Sequence, residues 1–199
     1  MYFERDGLAS VLVPMENGKS VNGAIIGNEG MVGLHALFGD GIASEELVQV
    51  TAGQAVRVHI SVIREFADKY STLHTLLSRY TLAMMTDMAR TAGCNRMHSV
   101  DQRLARMLLV MSDHAGRHTV GVTHDVLAGM LGTRRASVTN AACGLARARL
   151  IDYRRGQLTI TDHAGLQTVA CEDYRHSRDA FVRMFNDLEV GVPHIRMFS

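Results

Sequence analysis

The chain of 199 residues is poor in cysteine, and its three, Cys94, Cys143 and Cys171, stand far apart along it. There is no C-x-x-C pair. Neither a disulfide framework nor a standard zinc cage is expected, and each cysteine is read as a small buried hydrophobe. No run approaches the roughly eighteen uninterrupted apolar residues of a membrane-crossing helix, so no membrane partner is expected. The opening M-Y-F-E-R-D-G lacks the basic-then-apolar order of a signal peptide, which makes a cytoplasmic protein the expectation. No G-x-S-x-G or comparable nucleophile motif gathers the scattered serines, histidines and aspartates, and an enzyme therefore has no catalytic constellation behind it.

What is present is ordinary in bulk and uneven in detail. Apolar residues make up 47% and charged residues 21%, the balance of a soluble globular protein. The net charge of +1 hides an asymmetry. Residues 1–68 hold four Lys/Arg against nine Asp/Glu, whereas residues 95–160 hold ten arginines, no lysine and four Asp/Glu. One region repels polyanions and the other attracts them. Arginine is the cation that grips phosphate and guanine as a bidentate fork.

Residues 8–60 read as strands. Leu8–Pro14 and Ser20–Ile26 flank Glu16-Asn17-Gly18-Lys19, a hairpin signal. After a glycine-rich stretch from Gly27 to Leu34, runs over Glu46–Val50 and Ala55–Ile60 flank a turn at Thr51–Gln54. Ser61 is expected to cap a short helix over Val62–Asp68. A long helix starts at Ser71 or Thr72, with an apolar seam at Leu73, Leu76, Leu77, Tyr80, Met84 and Met88. So long a seam exceeds what one small core needs, and a two-fold dimer along it is expected, with part of it packed on the chain's own strands. Ser99-Val100-Asp101-Gln102 is a capping box that opens a fresh helix, which puts a domain boundary near Met97–His98.

Thr123–Ile160 carries the chemistry. Thr123 caps a helix packed through Val126, Leu127, Met130 and Leu131. Gly132 supplies a sharp turn. A second helix, opened by Thr133 or Arg134, buries Val138, Ala141, Ala142 and Leu145. It turns Arg134, Arg135, Ser137, Thr139 and Asn140 outward, as a helix entering the major groove would. Leu150-Ile151 enters a hairpin tipped by Arg154-Arg155-Gly156, a wing whose arginines would meet phosphate. Glu172–Leu188 reads as a further amphipathic helix, packed on the dimer or on this unit.

The stretches I-G-N-E-G-M-V-G-L-H-A-L-F-G, C-N-R-M-H-S-V-D-Q-R-L-A-R-M-L-L, L-A-G-M-L-G-T-R-R-A-S-V-T and L-I-D-Y-R-R-G-Q-L-T-I-T-D resemble the Crp/Fnr family of bacterial regulators. The resemblance runs to about Cys171. It implies an α+β fold with a cyclic-nucleotide-binding-like β-roll, a long dimerisation helix and a C-terminal winged helix-turn-helix reading a palindromic operator. The expected division is a sensor over 1–68, the dimerisation helix over 69–97, the DNA-binding domain over 98–171 and a helical extension over 172–199. By position, the resemblance makes Arg135 and Asn140 base-contacting residues and Thr123, Arg134 and Ser137 phosphate-contacting ones. Ala136 stands where many members have glutamate.

Two departures from the family shape the expectations. The Gly-Glu pair and phosphate-binding arginine of the cyclic-nucleotide cassette are missing: Leu34 follows Gly33, and the later region reads Ala43-Ser44-Glu45-Glu46. No cAMP binding is expected, no cofactor is predicted, and the effector is unassigned. Only four or five of about eight β-roll strands are counted, so either an N-terminally shortened form or a misassigned start is expected. The cysteine cluster of the oxygen-sensing members is also absent. Cys94/His98 and His114/His118 have the i, i+4 spacing of helical metal ligands, but the first pair lies at the joint and Gly116 interrupts the second, so no metal is assigned. His35 is read as a polar loop residue. Double-stranded DNA and a second copy of the chain are the expected partners, with RNA polymerase a further one. The competing reading is a small-ligand sensor whose DNA contact is lost or incidental.

Overall fold

The computed structural model describes residues 1–186 apart from 17, 19 and 44. The first half contains β1 (Tyr2–Glu4), β2 (Leu8–Pro14), β3 (Ser20–Ile26), β4 (Met31–Val32), α1 (Leu34–Phe38), β5 (Glu46–Thr51) and β6 (Ala55–Arg57). These strands make two antiparallel three-stranded sheets, ordered β4-β1-β6 and β3-β2-β5. Within the β2–β3 hairpin Val13 faces Val21 and Pro14 faces Ser20. At its expected tip Gly18 has φ +75°, while Asn17 and Lys19 lie outside the described residues.

Six strands thus stand where the sequence pattern shows four or five. β1 and β4 are too short to show a period of two. The strand expected over Ala55–Ile60 ends at Arg57, because His59 accepts the Ser61 N–H and caps α2 (Ile60–Lys69). The helix therefore begins two residues earlier than Ser61 capping would place it.

The long helix α3 spans Ser71–Met97 and passes through Gly93 without interruption. The seam read from the sequence lies mainly against the chain's own sheets: Leu77, Tyr80 and Met84 are buried with Ala24, Ile26 and Met31. The Tyr80 hydroxyl accepts the Met31 N–H at 3.0 Å and donates to the Met31 carbonyl at 3.1 Å, pinning β4 to the helix. Gly30 permits this approach, since a Cβ there would meet the Tyr80 oxygen at 2.6 Å. A different row, Ser78, Leu82, Met85, Ala89, Ala92 and Arg96, is exposed. Its alternating steps of four and three are those of a coiled-coil seam.

The second half runs α4 (Val100–Ala115), β7 (Thr119–Gly121), α5 (His124–Met130), α6 (Arg135–Arg147), β8 (Ile151–Arg154), β9 (Gln157–Ile160), α7 (His163–Val169) and α8 (Asp173–Arg183). Ser99 and Gln102 form the reciprocal capping box at the start of α4. β7 adds a third strand to the expected two-stranded wing, in the order β7-β9-β8. Leu104, Leu108, Leu127, Val138, Leu145, Leu158 and Leu166 fill one continuous core beneath these elements.

α8 ties the two halves together. Its Tyr174 belongs to the second-half core, while its Phe181 and the following Met184 belong to the core around Tyr80. It therefore packs across α3 and α4 of its own chain. Leu188, the expected end of this helix, lies outside the described residues.

Candidate nucleic-acid interface

α5 and α6 are held at their angle by the glycine between them. Gly132 adopts φ +58°, and the Thr133 N–H reaches the Ala128 carbonyl at 3.0 Å, closing α5 in a left-handed cap. Arg134, with extended backbone, is the residue before α6 and makes no side-chain cap. The first turn of α6 contains no acidic residue, so its free N–H groups and Arg134 and Arg135 present positive potential together. Val138, Ala141, Ala142 and Leu145 form the buried face, leaving Arg134, Arg135, Ala136 and Asn140 exposed.

Two expected contact residues are differently placed. Ser137 is half-buried. Thr139 is half-buried too, and its hydroxyl lies 3.0 Å from His124 Nδ1. The His124 ring stacks on Tyr153 of the wing at 4.4 Å. Burial first, and then the Arg135 charge, lower the His124 pKa and favour a neutral ring. Thr139 thereby links α6 to α5 and the wing rather than reaching freely outward.

Arg135 Nε lies 3.4 Å from Asp125 Oδ1 on the first turn of α5, with both side chains well exposed. Such a pair is weak in water and open to exchange for a stronger anion. Thr123 accepts the Val126 N–H at 3.3 Å as the α5 cap. In the wing, Arg154 pairs opposite Gln157, leaving Arg155-Gly156 as a two-residue turn with φ of +49° and +78°. Positive φ at both positions is the type I′ signature, and it projects an exposed Arg155 from the tip. Arg154 Nε is 2.9 Å from Asp152 Oδ2, which partly neutralises its charge.

Not every arginine of the basic region faces outward. Arg106 is buried against Asp87 at 2.8 Å and also donates to Thr91 at 3.1 Å. Arg103 donates to Asn95 Oδ1 at 2.8 Å and to the Leu131 carbonyl. Both brace the joint between α3, α4 and α5, so the outward field is smaller than the count of arginines suggests.

In the first half, a cleft of about 140 Å³ lies between the sheets and α3, walled by Val11, Ile26, Met31, Leu34 and Met84. Among the described residues its charged lining is Glu45 and Glu46, with His35 beside them. His35 lies on the short helix α1 rather than in a loop. The cysteines depart from the expectation twice. Cys143 is exposed on α6, and Cys94 and Cys171 meet with their sulfurs 3.4 Å apart. The hydrogen bond shared with Cys171 lowers the Cys94 pKa to about 7 against its burial, with Arg106 assisting, and Cys171 is raised correspondingly.

Residues 102–169 match the model of the Crp-like helix-turn-helix domain. A protein of Porphyra purpurea named as a putative HTH-type transcriptional regulator, ycf28, is 22% identical over 169 residues, covering 81% of this chain and 71% of its own. A CRP-family transcriptional regulator from Thermus thermophilus, TTHB099, superposes with a TM-score of 0.68 at 20% identity, over 85% of this chain and 86% of that one. FixK2 from Bradyrhizobium japonicum gives the same TM-score and coverage at 15% identity. Residues 102–169 form a Crp-like helix-turn-helix domain, joined by the long helix α3 to the two antiparallel sheets of the first half. The chain as a whole has the fold of the Crp/Fnr transcription regulators.

Proposed function

We propose that this chain is a sequence-specific DNA-binding transcription regulator that reads a palindromic operator as a homodimer. The observation that carries the reading is α6, which exposes Arg134, Arg135, Ala136 and Asn140 beyond the Gly132 turn and beside a wing tipped by Arg155. In this reading Arg135 leaves Asp125 for a guanine edge, and Asn140 reaches a second base. Thr123, Arg134, Ser137, Arg154 and Arg155 lie along the phosphates, where they add affinity without sequence choice. Thr139 acts through His124, holding the recognition helix against the wing.

Residues 1–68 form the sensor, 69–97 pair the two copies, 98–171 read DNA, and the stretch from 172 couples the halves through α8. The exposed row of Leu82 and Met85, 65% and 63% accessible, supports pairing along α3. Two-fold pairing presents two recognition helices to two half-sites about one helical turn apart.

Anisotropy titrations of the chain with its own promoter DNA over a range of salt test the reading. Affinity is expected to fall steeply with salt while a preference over random DNA persists. Arg135→Ala is expected to erase preference at one base pair per half-site, at about 1–3 kcal/mol each. Salt-sensitive but sequence-blind binding would favour a ligand sensor with incidental DNA contact. The acidic, largely apolar cleft repels a cyclic phosphate. Calorimetry with cAMP is expected to show no binding, and micromolar affinity would overturn that part of the reading.

A further inference from the structure

Where α3 ends and the α7–α8 link passes behind it, Cys94, His98, Cys171 and Asp173 converge, with one donor atom from each within 4.8 Å of the others. Cys94, Cys171 and Asp173 are 2%, 4% and 5% exposed. The sulfurs are 3.4 Å apart, Cys171 Sγ is 3.9 Å from Asp173 Oδ2, and His98 Nδ1 is 3.5 Å from the same oxygen. These resemble the edges of a tetrahedron about a zinc-sized ion, for which ligand bonds of roughly 2.0–2.3 Å give edges of roughly 3.3–3.8 Å. His98 Nδ1 is buried without a hydrogen-bond partner, a costly arrangement that a cation would resolve.

The surroundings have the form of an outer shell. The other ring nitrogen, His98 Nε2, lies 3.4 Å from Glu172 Oε2, the carboxylate–imidazole arrangement that orients a metal-bound histidine. The second oxygen of Asp173 is 3.5 Å from Arg90 Nη1. Sequence spacing pairs only Cys94 with His98, four apart; the fold brings in Cys171, 77 positions from Cys94, and with it Asp173.

We propose that Cys94, His98, Cys171 and Asp173 form a closed site for a borderline-soft divalent cation of the zinc class. Two thiolates and an imidazole select against magnesium and calcium. Four protein ligands leave no open position, so the site is structural or regulatory rather than catalytic. Its placement ties the end of α3 to the α7–α8 link, so that the bound ion fixes the reader relative to the long helix.

The test is anaerobic cobalt titration of the full chain after reduction and chelator treatment, with folding followed by circular dichroism. One equivalent of Co²⁺ is expected to produce thiolate-to-metal charge-transfer absorption and the intense visible bands of a tetrahedral site, both lost when Zn²⁺ is added. Cys94→Ser and Cys171→Ser are each expected to weaken the charge-transfer band, since one thiolate of the pair remains, while Cys143→Ser retains the wild-type spectrum. Should the serine variants fail to fold, His98→Gln decides: the thiolate absorption is expected to remain while the visible bands shift and affinity falls. Folded, reduced wild-type protein that develops no such absorption overturns the proposal. So does a spectrum unchanged in His98→Gln or in the cysteine variants, or a chain isolated with a Cys94–Cys171 disulfide that takes up no cobalt after reduction.

Discussion

Glu29 and His114 join the turn between β3 and β4 to the end of α4. Glu29 Oε1 lies 2.7 Å from His114 Nδ1, and both side chains are almost wholly buried. Burial opposes the charged imidazole, but the carboxylates of Glu29, Asp87 and Asp113 outweigh it and raise the His114 pKa. The folded-state pKa lies above the unfolded value of about 6.5, so the stabilisation is full below that pH and is lost as pH rises through the folded value. Unfolding free energy measured against pH is expected to fall over that interval. Glu29→Gln should cost about 3–5 kcal/mol where His114 would be charged, and should flatten the slope. An unchanged slope in the variant would remove Glu29 as its source. Gly27 is part of the same contact, because a Cβ there would lie 2.4 Å from the His114 carbonyl oxygen.

At the scale of elements, α3 carries two faces with different tasks. The Leu77–Tyr80–Met84 face closes the chain's own core, and the Leu82–Met85 face is exposed, the face that the proposed dimer would cover. Leu82→Glu with Met85→Glu is expected to shift the sedimentation profile from dimer to monomer while helix content is retained, because neither side chain contributes to the monomer's core. A dimer that survives both charges would place the interface elsewhere.

The sequence displays these elements unevenly. α3, α4 and α6 are legible because each is long enough to show its 3.6-residue period, with the capping box opening α4 and Gly132 setting off α6. β1, β4 and β7, of three, two and three residues, are too short for a strand pattern and exist through their partners. The outward set on α6 is legible at Arg134, Arg135 and Asn140. Thr139 escapes such a reading because its partner His124 sits on another helix, and Arg106 counts with the basic surface in sequence although Asp87 holds it inside. The meeting of Cys94 and Cys171 depends on how α7 returns to α3, which no local pattern encodes.

At the scale of the whole molecule, the turn at Glu29 reaches α4 through His114, α8 shares its apolar face between both cores, and α3 joins the sheets of the first half to the helix-turn-helix domain. The central claim is that two copies present two recognition helices to one symmetric site. Selection of bound sequences from a random duplex pool by the full-length protein tests it most directly. The account predicts an enriched inverted repeat with half-sites centred about one helical turn apart, and with Arg135→Ala relaxing one base pair in each half. Recovery of no motif, or of a motif without two-fold symmetry that is indifferent to Arg135, would contradict it.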